Sequence, residues 1–351
     1  MLGKKDFHSG GYGFNFKMME YLRAHGVEVD MIHFTTVPPG LPFKWFMASR
    51  YICGKIRREK PDLVIVSKSY QYVPMLRMMR GFICTPVIYL MHNLEWMALG
   101  NKLKAFMYKV YVRWLLGMAS VIWVNSSNTE EAIEGIGINR DRICLISPGF
   151  NKNPVSLPDR CRRDGPVRLL CVGSISPGKA QHVLIKACTY LDGGSYKMEF
   201  AGSIESDEKY AVSVQDLIKE NDLSDSIMVS GELSGEDLEK AYMNADILVH
   251  PSIWEAFGMS IIEGMWYGLP VIASGIAAIP ELVRDGVNGL LTPPENAEKL
   301  ASAMKNLIRN RELRLQMGEK SRMFAERMND WNDTGKEFME LVVKAAAGQK
   351  K

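Results

Sequence analysis

A chain of 351 residues with 47% hydrophobic and 24% charged content is ordinary for a globular protein and has material for two cores. Six cysteines (Cys53, Cys84, Cys144, Cys161, Cys171, Cys188) are scattered without a C-x-x-C or a His/Cys cluster, so neither a disulfide framework nor a zinc site is indicated and a reducing cytoplasm is the simplest compartment. The net charge of +3 conceals an asymmetry: residues 1–160 hold 21 Lys and Arg against 12 Asp and Glu, and the remainder 22 against 28.

No apolar run approaches the roughly 18 residues of a membrane span, and the N-terminus lacks a signal-peptide core. The reading is a cytoplasmic protein. A basic half attracts nucleic acid or an anionic membrane surface, and no nucleic-acid motif supports the first partner.

In chain order, Gly10, Gly11 and Gly13 lead into a helix expected over Phe16 to His25, stopped by Gly26 and followed by a strand from Val27 to Phe34. This is the second half of a βαβ unit. Its first strand is missing from the pattern, because Met1 to Phe7 is polar and charged where a buried parallel strand reads Val/Ile-rich. A glycine cluster so near a terminus reads equally as a loose tail or as a binding loop. A helix over Trp45 to Lys60 and strands over Leu63 to Ser67 and Val87 to Met91 come next. The second strand ends at His92-Asn93-Leu94-Glu95, and the carboxyl end of a parallel strand is where open α/β sheets place their ligands.

From Trp96 to Val124 there is no acidic residue, yet Lys102, Lys109 and Arg113 fall on one side of a helix beside Phe106 and Trp114. A basic amphipathic segment of this kind suits peripheral docking on an anionic membrane, and equally a helix packed on the sheet with a solvated edge. A strand over Val121 to Asn125 and an N-cap-rich helix start at Ser126 complete a first domain, residues 1–150. Asn151 to Pro166 reads as a linker. A second domain, 167–330, opens with strand R-L-L-C-V-G, loop S-I-S-P-G-K and a helix, with Lys179 placed to meet a diphosphate. Strands over Lys197 to Ala201, Ile227 to Ser230 and Ile247 to His250 alternate with helices, as in a doubly wound parallel sheet. Residues 331–351 hold a terminal helix.

The stretch Asp246 to Glu281 carries the most chemistry. A strand, a loop and a helix beginning at Gly258 place the amides around Gly258, Met259 and Ser260 where phosphate oxygens bind. Glu255 and Glu263 border the same place. Carboxylates beside a phosphate pocket must accept hydrogen bonds from hydroxyls, and a nucleotide sugar offers these on its ribose and on its hexose.

The whole string E-A-F-G-M-S-I-I-E-G-M-W-Y-G-L-P-V-I-A-S, followed by P-E-L-V-R-D-G-V-N-G-L-L, resembles the signature of the retaining glycosyltransferases of family 4. The resemblance implies an α/β protein of the GT-B fold, two Rossmann-like doubly wound domains facing a central cleft, with the terminal helix crossing back to the first domain. It implies transfer of a sugar from a nucleotide-diphosphate sugar to an acceptor hydroxyl, in cell-surface polysaccharide or glycolipid synthesis, on a lipid-linked or glycan acceptor. By the same resemblance Glu263 holds the ribose, Glu255 the donor sugar, and Lys179 with the amides at Gly258 and Met259 the diphosphate. His92 touches the sugar, and Gly10 and Gly11 match the glycine loop that faces donor and acceptor. No cofactor is implied. There is no Asp-x-Asp in the chain, so no metal is expected either.

One position departs from the family. Arginine commonly follows the glycine of the first loop of the second domain, and here that position is Ser174. The departure leaves open a catalytically silent sugar-nucleotide-binding partner of a polysaccharide-assembly complex. A phosphorylase or a sugar-nucleotide epimerase is the other alternative, and the full glutamate string argues against it.

Overall fold

The computed structural model describes residues 10–31, 53–67, 85–92, 94, 101–160, 164–205 and 207–348. The chain divides into two compact units, one of residues 1–149 with 329–351 and one of residues 150–328.

In the first unit, strands β1 (Val64–Ser67), β2 (Val87–Met91), β3 (Val121–Val124) and β4 (Ile143–Leu145) form a parallel sheet in that order. All five residues of β2 are buried, as a central parallel strand covered on both faces requires. Its period-2 alternation sorts them. Ile88 and Leu90 pack with Trp123 under helix α1 (Gly10–Ala24) and the C-terminal helix Trp331–Ala347. Tyr89 and Met91 pack with Ile122 and Val124 under α2 (Lys102–Leu116) and α3 (Ser127–Gly135). The two outer helices of the first face meet closely: a Cβ on Gly335 would lie 2.3 Å from the Tyr21 ring. Ser126 caps α3 through Thr129 N.

Two expectations for this unit are corrected. The helix expected from Phe16 begins at Gly10, so the glycines form its first turns rather than a loop before it. The apolar stripe Phe14, Met18 and Leu22, buried against the sheet, outweighs the low helix propensity of glycine. Residues 27–31 of the expected Val27 to Phe34 strand are not extended into any sheet; Val27 N is tied to Leu22 O and Arg23 reaches Val29 O, which turns the chain back on its helix. Met1 to Phe7, residues 45–52 of the expected Trp45 to Lys60 helix, and Asn93, Glu95 and Trp96 to Gly100 lie outside the described residues. Residues 53–59 are helical.

In the second unit, β5 (Val167–Val172), β6 (Tyr196–Ala201), β7 (Ile227–Gly231), β8 (Ile247–His250), β9 (Val271–Ser274) and β10 (Gly289–Thr292) form a parallel sheet in the order β10-β9-β8-β5-β6-β7. Helices α4 (Gln181–Cys188), α5 (Glu208–Glu220), α6 (Gly235–Asn244), α7 (Met259–Trp266), α8 (Ile279–Leu282), α9 (Ala297–Arg309) and α10 (Arg311–Arg327) alternate with the strands. Leu169 and Cys171 of β5 face one core, Leu170 the other. The order reverses between β5 and β8, and this reversal opens a crevice at the carboxyl ends of those strands.

The segment read as a linker is held by this unit. The Arg160 guanidinium donates to Ala245 O at 2.8 Å and Tyr267 O at 2.9 Å, and the Trp266 indole donates to Asn153 O at 3.0 Å. Cys53, Cys144, Cys171 and Cys188 are free thiols.

Candidate active site

The two loops that leave the sheet at its reversal, 173–180 after β5 and 251–258 after β8, meet each other. Ile253 N and Trp254 N both donate to Gly178 O, at 3.0 and 3.3 Å. Lys179 and Glu255, one from each loop, close a 2.5 Å ion pair between Nζ and Oε2. The lysine stem runs along Gly173, where φ is +151° and a Cβ would sit 3.3 Å from Lys179 Cε. Behind it, a Cβ on Gly202 would lie 1.9 Å from Gly173 O. Both positions need glycine because backbone and lysine pass where a side chain would be.

His250 ends β8 and is buried, with Nε2 at 2.9 Å from Glu255 Oε2. A carboxylate can only accept, so Nε2 carries the proton and Nδ1 is left to accept from Ser260 Oγ at 3.4 Å. Ser252 Oγ lies 3.0 Å from Nε2. The other oxygen of Glu255 accepts from Ala256 N at 2.9 Å and Phe257 N at 3.4 Å. Burial works against the charge of Glu255, but the Lys179 ammonium and the hydrogen bond from His250 overcome it and hold the carboxyl well below the usual range. For His250 burial dominates and lowers its pKa, with Glu255 partly offsetting this. The His250 imidazole is thus biased toward its neutral form and Glu255 toward its carboxylate.

Helix α7 starts from Gly258 in the left-handed region, φ +103°, with no side chain capping it. Its first amides, around Met259 and Ser260, therefore have no side-chain partner and point from the positive end of the helix dipole. Glu263, one turn further, accepts from Tyr242 OH at 2.9 Å. Burial raises its pKa and the Tyr242 hydrogen bond lessens the rise. Ser174 lies in the first loop, its Oγ 3.4 Å from Ser176 Oγ, and offers a hydroxyl where an arginine would bring charge. Buried Gln181 ties that loop by donating to Ser174 O at 3.0 Å.

His92 belongs to the first unit. Its Nε2 lies 3.0 Å from Asn15 Oδ1, Asn15 Nδ2 donates to Ser67 Oγ at 2.7 Å, and Asn125 Nδ2 donates to the His92 carbonyl at 3.0 Å. Phe14 and Trp123 meet its ring edge-on, at 5.6 and 5.0 Å. Gly10 and Gly11 open the helix that carries Asn15. The expected contact of His92 with a sugar rests on the resemblance alone. A cavity of about 790 Å³ in the same unit opens near the amino ends of β1 to β4, lined by Val64, Pro86, Val121, Ile143, Glu337 and Lys344. It lies at the end of the sheet opposite His92, away from the ends where such sheets bind ligands.

Residues 159–324 match the family model for glycosyl transferases group 1, and residues 19–149 match the model for the glycosyl transferase 4-like domain. The chain belongs to the group 1 glycosyl transferases. An uncharacterized glycosyltransferase of Methanocaldococcus jannaschii is 26% identical to it over 81% of this chain and 76% of the relative. The O-antigen chain mannosyltransferase RfbU of Salmonella typhimurium is 24% identical over 76% of this chain and 71% of the relative. Further curated relatives are spanned over only 43% to 60% of their own length. Among solved structures, sucrose-phosphate synthase of Thermosynechococcus elongatus superposes with a TM-score of 0.80 at 19% identity, over 97% of this chain and 94% of that one. HepE of Anabaena, in complex with UDP and glucose, superposes with a TM-score of 0.74 at 19% identity, over 96% and 90%. At these identities the likeness speaks for the fold, and the transferase has the two-domain GT-B fold.

The sequence pattern did not single out two residues of the site, His250 and Tyr242. His250 obeys the same carboxyl-end rule that singled out His92, so a signal was present. Tyr242 sits among the apolar positions of α6 and gave none; only the approach of α6 to α7 reveals its hydroxyl on Glu263.

Proposed function

We propose that this glycosyltransferase uses a nucleotide-diphosphate sugar as donor and transfers its sugar with retention to an acceptor hydroxyl of a lipid-linked or surface glycan. The observation that carries the reading is the Lys179–Glu255–His250 cluster beside the uncapped start of α7, at the reversal of strand order. In the reaction the bond from the anomeric carbon to the β-phosphate oxygen breaks and its electron pair stays on that oxygen. Lys179 and the α7 amides stabilise this growing charge as fixed groups that need no reorganisation. The acceptor oxygen bonds to the anomeric carbon on the face being vacated, and its proton passes to the departing phosphate oxygen. Glu255, oriented by Lys179, His250 and the amides of Ala256 and Phe257, accepts from a sugar hydroxyl, and Glu263 accepts from the ribose. HepE, a structural neighbour, binds UDP and glucose, which supports the donor class, and RfbU supports a surface-glycan acceptor. Titration with UDP, GDP and ADP followed by donor-hydrolysis assays tests the reading; a chain that binds none of them and hydrolyses no donor overturns it.

Lys179 and the helix amides meet the phosphate charge without a divalent ion, so transfer is expected to be unchanged by EDTA. Activity abolished by EDTA and restored by magnesium or manganese counts against this assignment.

Glu263→Ala is expected to weaken nucleotide binding by the value of a charged hydrogen bond, roughly 1.5–3 kcal/mol, or about ten- to a hundredfold in Kd. Because its pKa is raised while that of Glu255 is lowered, Glu263 is the first of the two to protonate in acid. Nucleotide affinity should therefore fall on acidification before the Glu255 pair is lost. Calorimetry across pH measures both; a Kd unmoved by the substitution rejects the ribose role.

A further inference from the structure

Helix α2 has two apolar faces, and only one of them is buried. Val112, Leu115 and Leu116 enter the core of the first unit beneath β2 and β3. On the opposite side Leu103, Phe106, Met107 and Val110 stand out, 67%, 63%, 63% and 53% exposed. Steps of three and four residues keep these four in one stripe along the helix. Lys102, Lys109 and Arg113 follow one border of the stripe and Lys104 the other, all of them exposed. No carboxylate occurs from 96 to 124 to neutralise them. Contiguous apolar surface of this kind marks an interaction site on a folded protein.

We propose that this face of α2 docks on an anionic lipid bilayer, its axis parallel to the surface. The four apolar side chains enter the headgroup boundary, and the lysines on either border extend to lipid phosphates. Charge decides between this occupant and a second copy of the chain. A two-fold self-interface sets the same patch against itself, which would bring the like-charged borders together, whereas an anionic leaflet complements them. The helix is already formed, capped by Asn101 and held by its inner face, so docking requires no folding step. The inference is independent of the proposed chemistry.

Co-sedimentation of the full chain with phosphatidylcholine vesicles, with and without phosphatidylglycerol, tests it. Binding should require the anionic lipid and weaken as ionic strength rises past about 0.1 M, where the Debye length falls below about 10 Å. Each lysine near an anionic leaflet contributes about a fivefold factor in partitioning. Lys102→Ser, Lys104→Ser and Lys109→Ser together should lower it by about a hundredfold. Phe106→Ser with Val110→Ser should also lower it at unchanged charge, with an unchanged melting temperature because both side chains are exposed. Equal pelleting on neutral and anionic vesicles overturns the proposal, as does indifference to both sets of substitutions. A dimer in solution that Phe106→Ser converts to monomer, without lipid binding by either form, overturns it in favour of self-association.

Discussion

Lys179→Ala is expected to lower kcat by roughly 10²–10³, the usual loss when one preorganised group facing a developing oxyanion is removed. The effect should fall on turnover more than on ground-state binding, because in the proposed transfer the charge on the β-phosphate grows as the glycosidic bond breaks. Ser174 offers no second cation at the neighbouring position to share the loss. The substitution also removes the charge that overcomes burial at Glu255, so that carboxyl should return toward its ordinary range. Single-turnover kinetics with a saturating donor separate the chemical step from release. A variant that turns over as fast as the parent removes Lys179 from the reaction.

Glu255→Gln is the second large effect. The amide keeps the size of the side chain and can still accept from Ala256 N, yet it loses the charge that pairs with Lys179 and the strong hydrogen bond from His250. Turnover of the sugar donor should fall by about a hundredfold, while free nucleoside diphosphate binds nearly as before. This contrasts with Glu263→Ala, where nucleotide affinity itself falls. Equal loss of nucleotide affinity in both variants rejects the assigned roles. Stability adds an independent reading. A carboxyl with a depressed folded-state pKa contributes stability above its unfolded value and loses it as the pH falls through the folded one. The Gln variant should therefore have a flatter acid limb in its melting temperature than the parent, below the ordinary carboxylate range.

Much of the second unit was legible before any coordinates. Parallel strands covered on both faces read as continuous apolar runs, and Ile247–His250 appears at the expected residues. Gly258, the loop before it and the apolar spacing after it marked the start of α7, because a helix that begins without a side-chain cap and with positive φ needs glycine there. The first unit was less legible at its start. Glycines at 10, 11 and 13 are indifferent helix formers, and only the packing of Phe14 and Met18 against Trp123 and Phe338 settles them as helix.

The sequence by itself determined the alternation of strands and helices, the uncapped helix start with its two glutamates, and the acid-free basic helix, because each is written in local spacing and composition. Tertiary structure alone decided that Lys179 meets Glu255 across 76 positions, that His250 stands behind the pair, and that Tyr242 reaches Glu263. It also decided which apolar face of α2 is left in water. These outcomes depend on strand order and on which helix covers which face, and such non-local pairings leave no periodicity in the chain for a sequence reading to detect.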